Sequence, residues 1–191
     1  LVREAESDGI SLIITCDNGI SATEQIALAY SLGMKVIVTD HHEIPEVLPK
    51  AEVLLNPKLE ACGYPFRELC GAGVALKLAV ALGADVQEYL GFAAVATVCD
   101  IVTLLGENRT IVKLGLRQLK QCTNLGLRAL AEGNQIALAM IDTSDIGYRI
   151  GPCINASGRL ASAGLAMQLL LTTDELSAKR IATELIQLNE E

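Results

Sequence analysis

Short apolar runs alternate with a helical pattern over the first sixty residues of the chain. Residues 10–17, 34–40 and 51–57 each contain a run rich in Ile, Val or Leu, which is typical of strands buried on both faces of a sheet. Between the first two runs, apolar residues recur at helical spacing, and Gly33 is the predicted helix stop. This strand–helix–strand order predicts a parallel sheet whose crossover connection is right-handed.

From about Gly73 onward, the apolar positions follow a helical period instead. The pattern predicts four helices, over residues 74–84, 87–105 and 109–122 and from about Asp174 onward. A stretch that contains several glycines, residues 145–160, is predicted to be a loop between them. We therefore predict an α/β fold, with a parallel sheet and flanking helices in residues 1–60. A mainly helical part, residues 61–191, follows and ends in a linker helix.

The composition limits the functions that this fold can carry. The formal net charge of −8 disfavours a bare nucleic-acid-binding surface, which is usually basic, but it does not conflict with an acidic metal site. Six cysteines without a CxxC pair, together with only two histidines, disfavour a zinc finger. The cysteines are typical of core positions in a reducing compartment, and no apolar stretch reaches membrane-spanning length. We therefore expect a cytoplasmic protein without a membrane span or signal peptide.

Titratable side chains follow the first two predicted strands. Asp17 ends the first strand, and Asp40 ends the second, directly before His41 and His42. The carboxyl ends of neighbouring parallel strands meet at one edge of a sheet, where two carboxylates repel each other unless a cation is bound. Mixed Asp and His ligands suit manganese or a similar ion better than calcium. Either Asp alone is more simply explained as a turn or cap residue, but the four together favour a metal site.

Asp100 lies inside the apolar stretch "GFAAVATVCDIVTLL". A buried carboxylate without a partner is costly, so this residue requires a cation, a network of donors or a raised pKa. The alternative is a helix end that leaves Asp100 exposed. The apolar residues on both sides count against that alternative, although a short break at Asp100 remains open.

Two glycine-containing stretches offer donors for an anion. In "IGPCINASGR", Asn155, Ser157 and Arg159 carry donors, and an Arg side chain can bind a phosphate through two parallel hydrogen bonds. Most stretches of this kind are nevertheless ordinary loops. In "CGAGVALKL", the glycines open a helix whose N–H groups could hold an anion, although such glycines more often only permit close packing.

Several of these motifs together resemble a known family. The segments "TDHH", "CDNGI" and "VCDIVTL" resemble those of the DHH phosphoesterases. Within that superfamily, "YPFRELCGAGVALKL", "LLGENRTIVKLGL" and "RIGPCINASGRL" are similar to the RecJ exonucleases, which are specific for single-stranded DNA. The resemblance spans nearly the whole chain. The DHH triplet is only moderately specific, whereas the "GP-x-INA-x-GR" pattern after it is much more so.

The resemblance implies a role for each residue of the candidate metal site. Asp17 would bridge two metal ions, and His41 and Asp100 would complete the shell of one of them. His42 would contact the scissile phosphate. Asp40, which we group with His42 as a catalytic residue, would orient His41.

The resemblance also implies that Asn155, Gly158 and Arg159 face the nucleotide or its phosphate. Position 153 departs from the family, because it is Cys where related sequences usually have Arg, and one phosphate contact is therefore in doubt. The aspartate-rich strand end that forms the family's first motif is also absent, since it would lie before Asp17. We therefore expect an N-terminally truncated piece of a DHH domain that is weak or inactive by itself.

The implied activity is hydrolysis of phosphodiester bonds with two manganese or magnesium ions. The family degrades single-stranded DNA from its 5′ end in repair and recombination, and single-strand-binding protein and a repair helicase are implied partners. Two alternatives stay open. One is another DHH phosphoesterase acting on short oligonucleotides, cyclic dinucleotides or polyphosphate. The other is a non-catalytic scaffold of the same fold, against which the presence of all four candidate ligands argues.

Overall fold

Three parallel strands form a single sheet in the order β1-β2-β3. They are β1 (Leu12–Cys16), β2 (Lys35–Thr39) and β3 (Val53–Leu55). In the register, Cys16 lies opposite Thr39, and Thr39 lies opposite Leu55. All three strands therefore end at the same edge of the sheet. The strands lie where the apolar runs predicted them, and the predicted parallel α/β arrangement is confirmed.

The central strand β2 is buried because it has a neighbour on each side. Val36 and Val38 are 1% and 0% exposed and pack with Ile26 and Ala29 of the crossover helix. That helix, α2 (Thr23–Ser31), ends directly before Gly33, whose φ of +81° confirms the predicted stop. A short helix, α1 (Val2–Ser7), precedes β1.

The computed structural model describes residues 1–160 and 163–190 and divides into two units. Unit 1 comprises Leu1–Val86 together with Val102–Arg109 and contains the sheet. Unit 2 comprises Gln87–Ile101 together with Thr110–Glu191 and is helical. The expectation that residues 1–60 and 61–191 are two parts of one domain stays a prediction.

Helices account for most of the chain after the sheet, as predicted. Helix α3 (Gly71–Ala81) belongs to unit 1. The later helices are α4 (Val86–Cys99), α5 (Gly106–Leu119), α6 (Leu125–Gly133), α7 (Thr143–Asp145), α8 (Gly151–Leu160), α9 (Ala163–Leu171) and α10 (Glu175–Glu190). A π-helical turn, Ile146–Ile150, joins α7 to α8, and short 3-10 turns lie at Glu60–Cys62 and Leu138–Met140.

The loop predicted over residues 145–160 is wrong, because this stretch is continuously helical. Two of its glycines, Gly147 and Gly151, lie against a neighbouring helix rather than in a turn. A side chain at Gly151 would collide with the Cys99 thiol, and one at Gly147 would touch Val98. Close approach of two helices requires such small residues, and their helical conformation cannot be distinguished from a loop by composition alone.

The single helix predicted over residues 87–105 is also interrupted. Helix α4 ends at Cys99, and Ile101 adopts a left-handed conformation with φ of +57°. A β-branched residue rarely adopts this conformation. The helix therefore ends next to Asp100, where a short break was one of the two alternatives that the sequence allowed. Helix α5 then begins at Gly106, which is also left-handed.

Unit 2 has its own apolar core. Helix α10 packs on α6, α8 and α9 through a face that includes Ala178, Ile181, Ala182 and Leu185, each at most 3% exposed. Within the described part of the chain, no helix combines the length and the apolarity that crossing a lipid bilayer requires.

Candidate metal centre

Asp17 begins the loop that leaves β1. Its φ of +63° lies in the left-handed region, and its backbone N–H donates to the carbonyl of Thr39 at 3.0 Å. The side chain is 55% exposed, and its Oδ1 lies 3.0 Å from Nε2 of His41, which is only 11% exposed. The strand end therefore presents a carboxylate to solvent with an imidazole held against it.

Asp40 lies directly after β2 and is buried, with a side-chain exposure of 1%. Its Oδ2 accepts the backbone N–H of Ile20 at 2.9 Å. Its Oδ1 accepts the backbone N–H of His41 at 2.7 Å and that of His42 at 3.2 Å. Burial alone would raise the pKa of Asp40, but the hydrogen bonds from Ile20, His42 and His41 lower it more, so the net pKa lies below its usual value.

The Asp40 carboxylate also binds the His42 ring, with Nδ1 of His42 2.7 Å from Oδ1. Since a carboxylate only accepts, Nδ1 is the protonated nitrogen and Nε2 is the ring atom directed to other ligands. The resemblance implied that Asp40 orients the ring of His41. In the structure it contacts the ring of His42 instead, and it accepts from His41 only the backbone N–H.

Asp17, His41 and His42 together form a group that could hold a metal ion. One ligand atom from each lies within 4.8 Å of the other two, and the two imidazole centroids are 4.6 Å apart. One carboxylate oxygen and two ring nitrogens are the donor set expected for manganese or a similar divalent ion. The residues present therefore fit the predicted ion. Of the five residues predicted as metal ligands or catalytic residues, Asp17, His41 and His42 form this group. Asp40 lies next to it and binds the His42 ring.

A polar residue that was not predicted from the sequence lies at the end of the third strand. Asn56 follows β3, is 1% exposed and donates from Nδ2 to the carbonyl of His42 at 2.9 Å. Its Oδ1 accepts the backbone N–H of Lys58 at 2.9 Å. The signal was available, because Asn56 stands at the same position relative to β3 as Asp40 does to β2.

Gly71, the first residue of α3, was noted only as a glycine that could bind an anion or allow close packing. The structure favours packing, because a Cβ at Gly71 would collide with the Asp17 carboxylate. The N-terminal turn of α3 therefore lies directly against the candidate ligand. Its N–H groups and helix dipole favour negative charge at this position.

Asp100 follows the last residue of α4 and belongs to unit 2. The residue is exposed, so the expectation that its apolar neighbours bury it is wrong. The reason is the helix end at Cys99, which turns the chain at Asp100. Its predicted role as a metal ligand stays a prediction.

The candidate substrate-binding residues lie on α8. Asn155 and Gly158 are exposed, whereas Ser157 is buried and donates to the carbonyl of Ile154 at 2.8 Å. The side chain of Arg159 lies outside the described residues. Cys153 is fully buried in the core of unit 2, with its thiol 3.1 Å from the carbonyl of Arg149. At this position the Cys side chain serves packing.

Comparison with known proteins places these features in a family. A model of the "DHH family, N-terminal domain" matches residues 2–99. The chain is 43% identical over 192 residues to the single-stranded-DNA-specific exonuclease RecJ of Bacillus subtilis, covering 99% of this chain and 24% of that protein. It is 36% identical over 208 residues to RecJ of Escherichia coli, covering 100% of this chain and 36% of that protein. It therefore spans about a quarter to a third of these curated relatives.

Solved structures show the same fold. RecJ from Thermus thermophilus in complex with Mn²⁺ matches with a TM-score of 0.86 and 34% identity, over 99% of this chain and 29% of that chain. A crystal structure of exonuclease RecJ bound to manganese matches with a TM-score of 0.84 and 34% identity, over 100% of this chain and 50% of that chain.

Proposed function

Because the chain belongs to the DHH family, we propose that it carries part of the active site of a metal-dependent exonuclease. The enzyme would hydrolyse phosphodiester bonds of single-stranded DNA from the 5′ end, in repair and recombination. The observation that carries the proposal is the convergence of Asp17, His41 and His42 at one edge of the sheet. The 36–43% identity to RecJ proteins supports the substrate class.

Two side chains would hold the divalent ion directly. Asp17 supplies a carboxylate that is open to solvent, and His41 supplies Nε2, 3.0 Å from that carboxylate. Bound manganese or magnesium lowers the pKa of a coordinated water and polarises a phosphoryl oxygen. We propose Asp100 as a further ligand on the grounds of its family motif, with a second ion held partly by residues outside this chain.

His42 would contact the phosphate. Its Nδ1–H donates to Asp40, so only Nε2 can face a substrate. When the ring is protonated, Nε2–H would donate to a phosphate oxygen and offset the charge that builds up there during hydrolysis. Asp40 therefore acts through His42: the carboxylate itself is buried, while 60% of the His42 side chain is exposed and accessible to a substrate.

Residues on α8 would contact the nucleotide. Asn155 and Gly158 are exposed and thus accessible to a ligand, and Arg159 stands in the same motif.

Single-strand-binding protein and a repair helicase are proposed partners on the resemblance alone. A cytoplasmic location is supported by the free thiols of Cys16, Cys62, Cys122 and Cys153, which suit a reducing compartment. Residues 1–191 would form part of one DHH domain.

The test is cleavage of a 5′-labelled single-stranded oligonucleotide by the full-length protein with manganese. His42→Ala is expected to lose most of its turnover while the manganese dissociation constant changes little, because the ion is held by Asp17 and His41. Full activity of that variant would contradict the role of His42. The 191-residue chain alone is expected to show feeble cleavage, and cleavage at normal rates would show that no further ligands are needed.

Two other outcomes point to the remaining candidates. Hydrolysis of dinucleotides or polyphosphate in preference to long single strands would indicate a small-substrate DHH phosphoesterase. Calorimetry that shows no tight manganese binding by the full-length protein would indicate a non-catalytic scaffold. The assembled Asp17, His41 and His42 group argues against the scaffold, because its donor atoms suit a divalent ion.

A further inference from the structure

The backbone of His42 is held by a buried side chain from the neighbouring strand. Asn56 is 1% exposed, and its Nδ2 donates to the His42 carbonyl at 2.9 Å. Its Oδ1 accepts the backbone N–H of Lys58 at 2.9 Å, which fixes the orientation of the amide group. Both ends of the Asn56 side chain are therefore used, as expected for a buried amide.

A second link joins the same two segments but is weaker. Nζ of Lys58 lies 2.6 Å from Oε1 of Glu43, and Glu43 is 89% exposed. Exposed ion pairs contribute little, typically less than about 1 kcal/mol. The hydrogen bond from Asn56 restrains His42 more strongly, because its loss would leave the His42 carbonyl without this partner.

Besides its own backbone N–H, which donates to Asp40 at 3.2 Å, His42 is held through its ring and through its carbonyl. Asp40 binds its ring through Nδ1 at 2.7 Å, and Asn56 binds its main chain. The ring bond alone sets which nitrogen is protonated, but the position of the ring also depends on where its Cα is placed. Sixty per cent of the His42 side chain is exposed, so surrounding packing provides little of this restraint.

We infer that Asn56 is a positioning residue for His42, acting through the His42 carbonyl rather than on substrate. This inference rests on the proposed role of His42 at the phosphate. Loss of the Nδ2–H donor would leave the His42 carbonyl without this bond, while the His42 N–H stays bonded to Asp40, and would let the ring shift from its orientation. Asp17 and His41, whose carboxylate and ring lie 3.0 Å apart, would keep the ion.

Asn56→Asp is the sharpest variant, because it preserves shape and the acceptor for Lys58 N–H but removes the donor to His42. Asn56→Leu has a similar volume and removes both. Asn134→Ala is the matched control, since Asn134 also donates from Nδ2 to a carbonyl, that of Leu130 at 2.9 Å, but lies in unit 2.

The first readout does not depend on activity. The chain contains only two histidines, so ¹⁵N spectra of the imidazole rings contain two spin systems. In the unaltered chain we expect one set of His42 signals with Nδ1 protonated, as the bond to Asp40 requires. In Asn56→Asp and Asn56→Leu we expect the His42 signals to shift or broaden because the ring orientation changes, while the control leaves them in place. His42 signals that are unchanged in both variants would overturn the inference.

The second readout is kinetic and uses the full-length protein. Loss of an outer partner of an active-site residue typically costs about tenfold to hundredfold, and we expect a fall of this size in kcat for Asn56→Asp. The manganese dissociation constant should stay within about twofold, because the ion is held by Asp17 and His41, and KM should change less than kcat, because His42 would contact only one phosphate of a longer strand. Altered His42 signals with unaltered kcat would retain the positioning role but refute the proposed role of His42 at the phosphate.

A measurement on the unaltered chain covers the case in which both variants fail to fold. Scalar coupling across the hydrogen bond, between Nδ2 of Asn56 and the carbonyl carbon of His42, reports the bond directly. We expect a measurable coupling, and its absence would overturn the inference without any substitution.

Discussion

At the scale of single residues, Asp40 determines how the candidate site is built. It is the buried acceptor shared by the β1–α2 loop through Ile20 and by both histidines of the triplet. Hydrogen bonds to a charged group are stronger than those between neutral groups. The buried Asp40, the first residue of the DHH triplet, therefore positions the two histidines that follow it.

We expect Asp40→Asn to lower the free energy of unfolding by about 1–3 kcal/mol, because the amide nitrogen would face donors that the carboxylate now satisfies. Urea unfolding measures this. Asp8→Asn, at an exposed position, is the control and should change stability by less than about 0.5 kcal/mol. Equal stability of Asp40→Asn and the unaltered chain at pH 7 would contradict the proposed network.

The difference in unfolding free energy between the unaltered chain and Asp40→Asn should depend on pH. The pKa of Asp40 in the folded chain lies below its ordinary value of 3.8, so the charged form stabilises the fold. This contribution is fully present above pH 3.8 and is lost as the pH falls through the lower folded pKa. We expect the stability difference from Asp40→Asn to shrink in that acidic range. A difference that instead grew on acidification would show that the sign of the pKa shift is wrong.

At the scale of secondary-structure elements, the strand ends and the start of α3 together position the ligands. Apolar runs located all three strands, although only the central strand β2 is largely buried, whereas Leu12 and Ile14 of β1 are 44% and 50% exposed. The loop prediction for residues 145–160 was wrong, because the sequence does not distinguish a glycine that allows two helices to touch from one that lies in a loop.

Two glycines on α3 test the contact between that helix and Asp17. A Cβ at Gly71 would collide with the Asp17 carboxylate, whereas a Cβ at Gly73 would meet Leu69 at 3.4 Å, an ordinary contact. We expect Gly71→Ala to lower the melting temperature and to weaken manganese binding by displacing Asp17. Gly73→Ala should be neutral or stabilising by up to about 1 kcal/mol, because Ala is the better helix former.

Melting curves and manganese calorimetry on both variants provide the measurement. If Gly71→Ala binds manganese as tightly as Gly73→Ala does, then either α3 does not lie against Asp17 or Asp17 is not a ligand. Retained stability would indicate the first explanation, and lost stability the second.

At the scale of the whole molecule, the chain consists of two units, each with a core of its own. The candidate metal group lies entirely in unit 1, whereas Asp100 and the residues of α8 belong to unit 2. The final helix, which the sequence predicted as a linker, packs into the core of unit 2. Whether it also continues as a linker stays a prediction.

This packing predicts a large effect at Leu185, which is fully buried on α10. Leu185→Ala should cost about 2–5 kcal/mol, because it opens a cavity among α6, α8 and α9. Leu176→Ala on the same helix is the control, since Leu176 is 78% exposed and should cost less than about 0.5 kcal/mol. Similar urea midpoints for the two variants would contradict the packing of α10.

The sequence by itself determined the class of fold, the positions of the strands and the residues Asp17, Asp40, His41 and His42. These are local properties, because a buried strand needs a continuous apolar run and its polar end stands next to it in the chain. Only the tertiary structure decided which ring Asp40 contacts, that Asn56 holds His42 and that Gly71 abuts Asp17. Those contacts join residues 14 to 54 positions apart or depend on side-chain direction, and no short-range pattern encodes either.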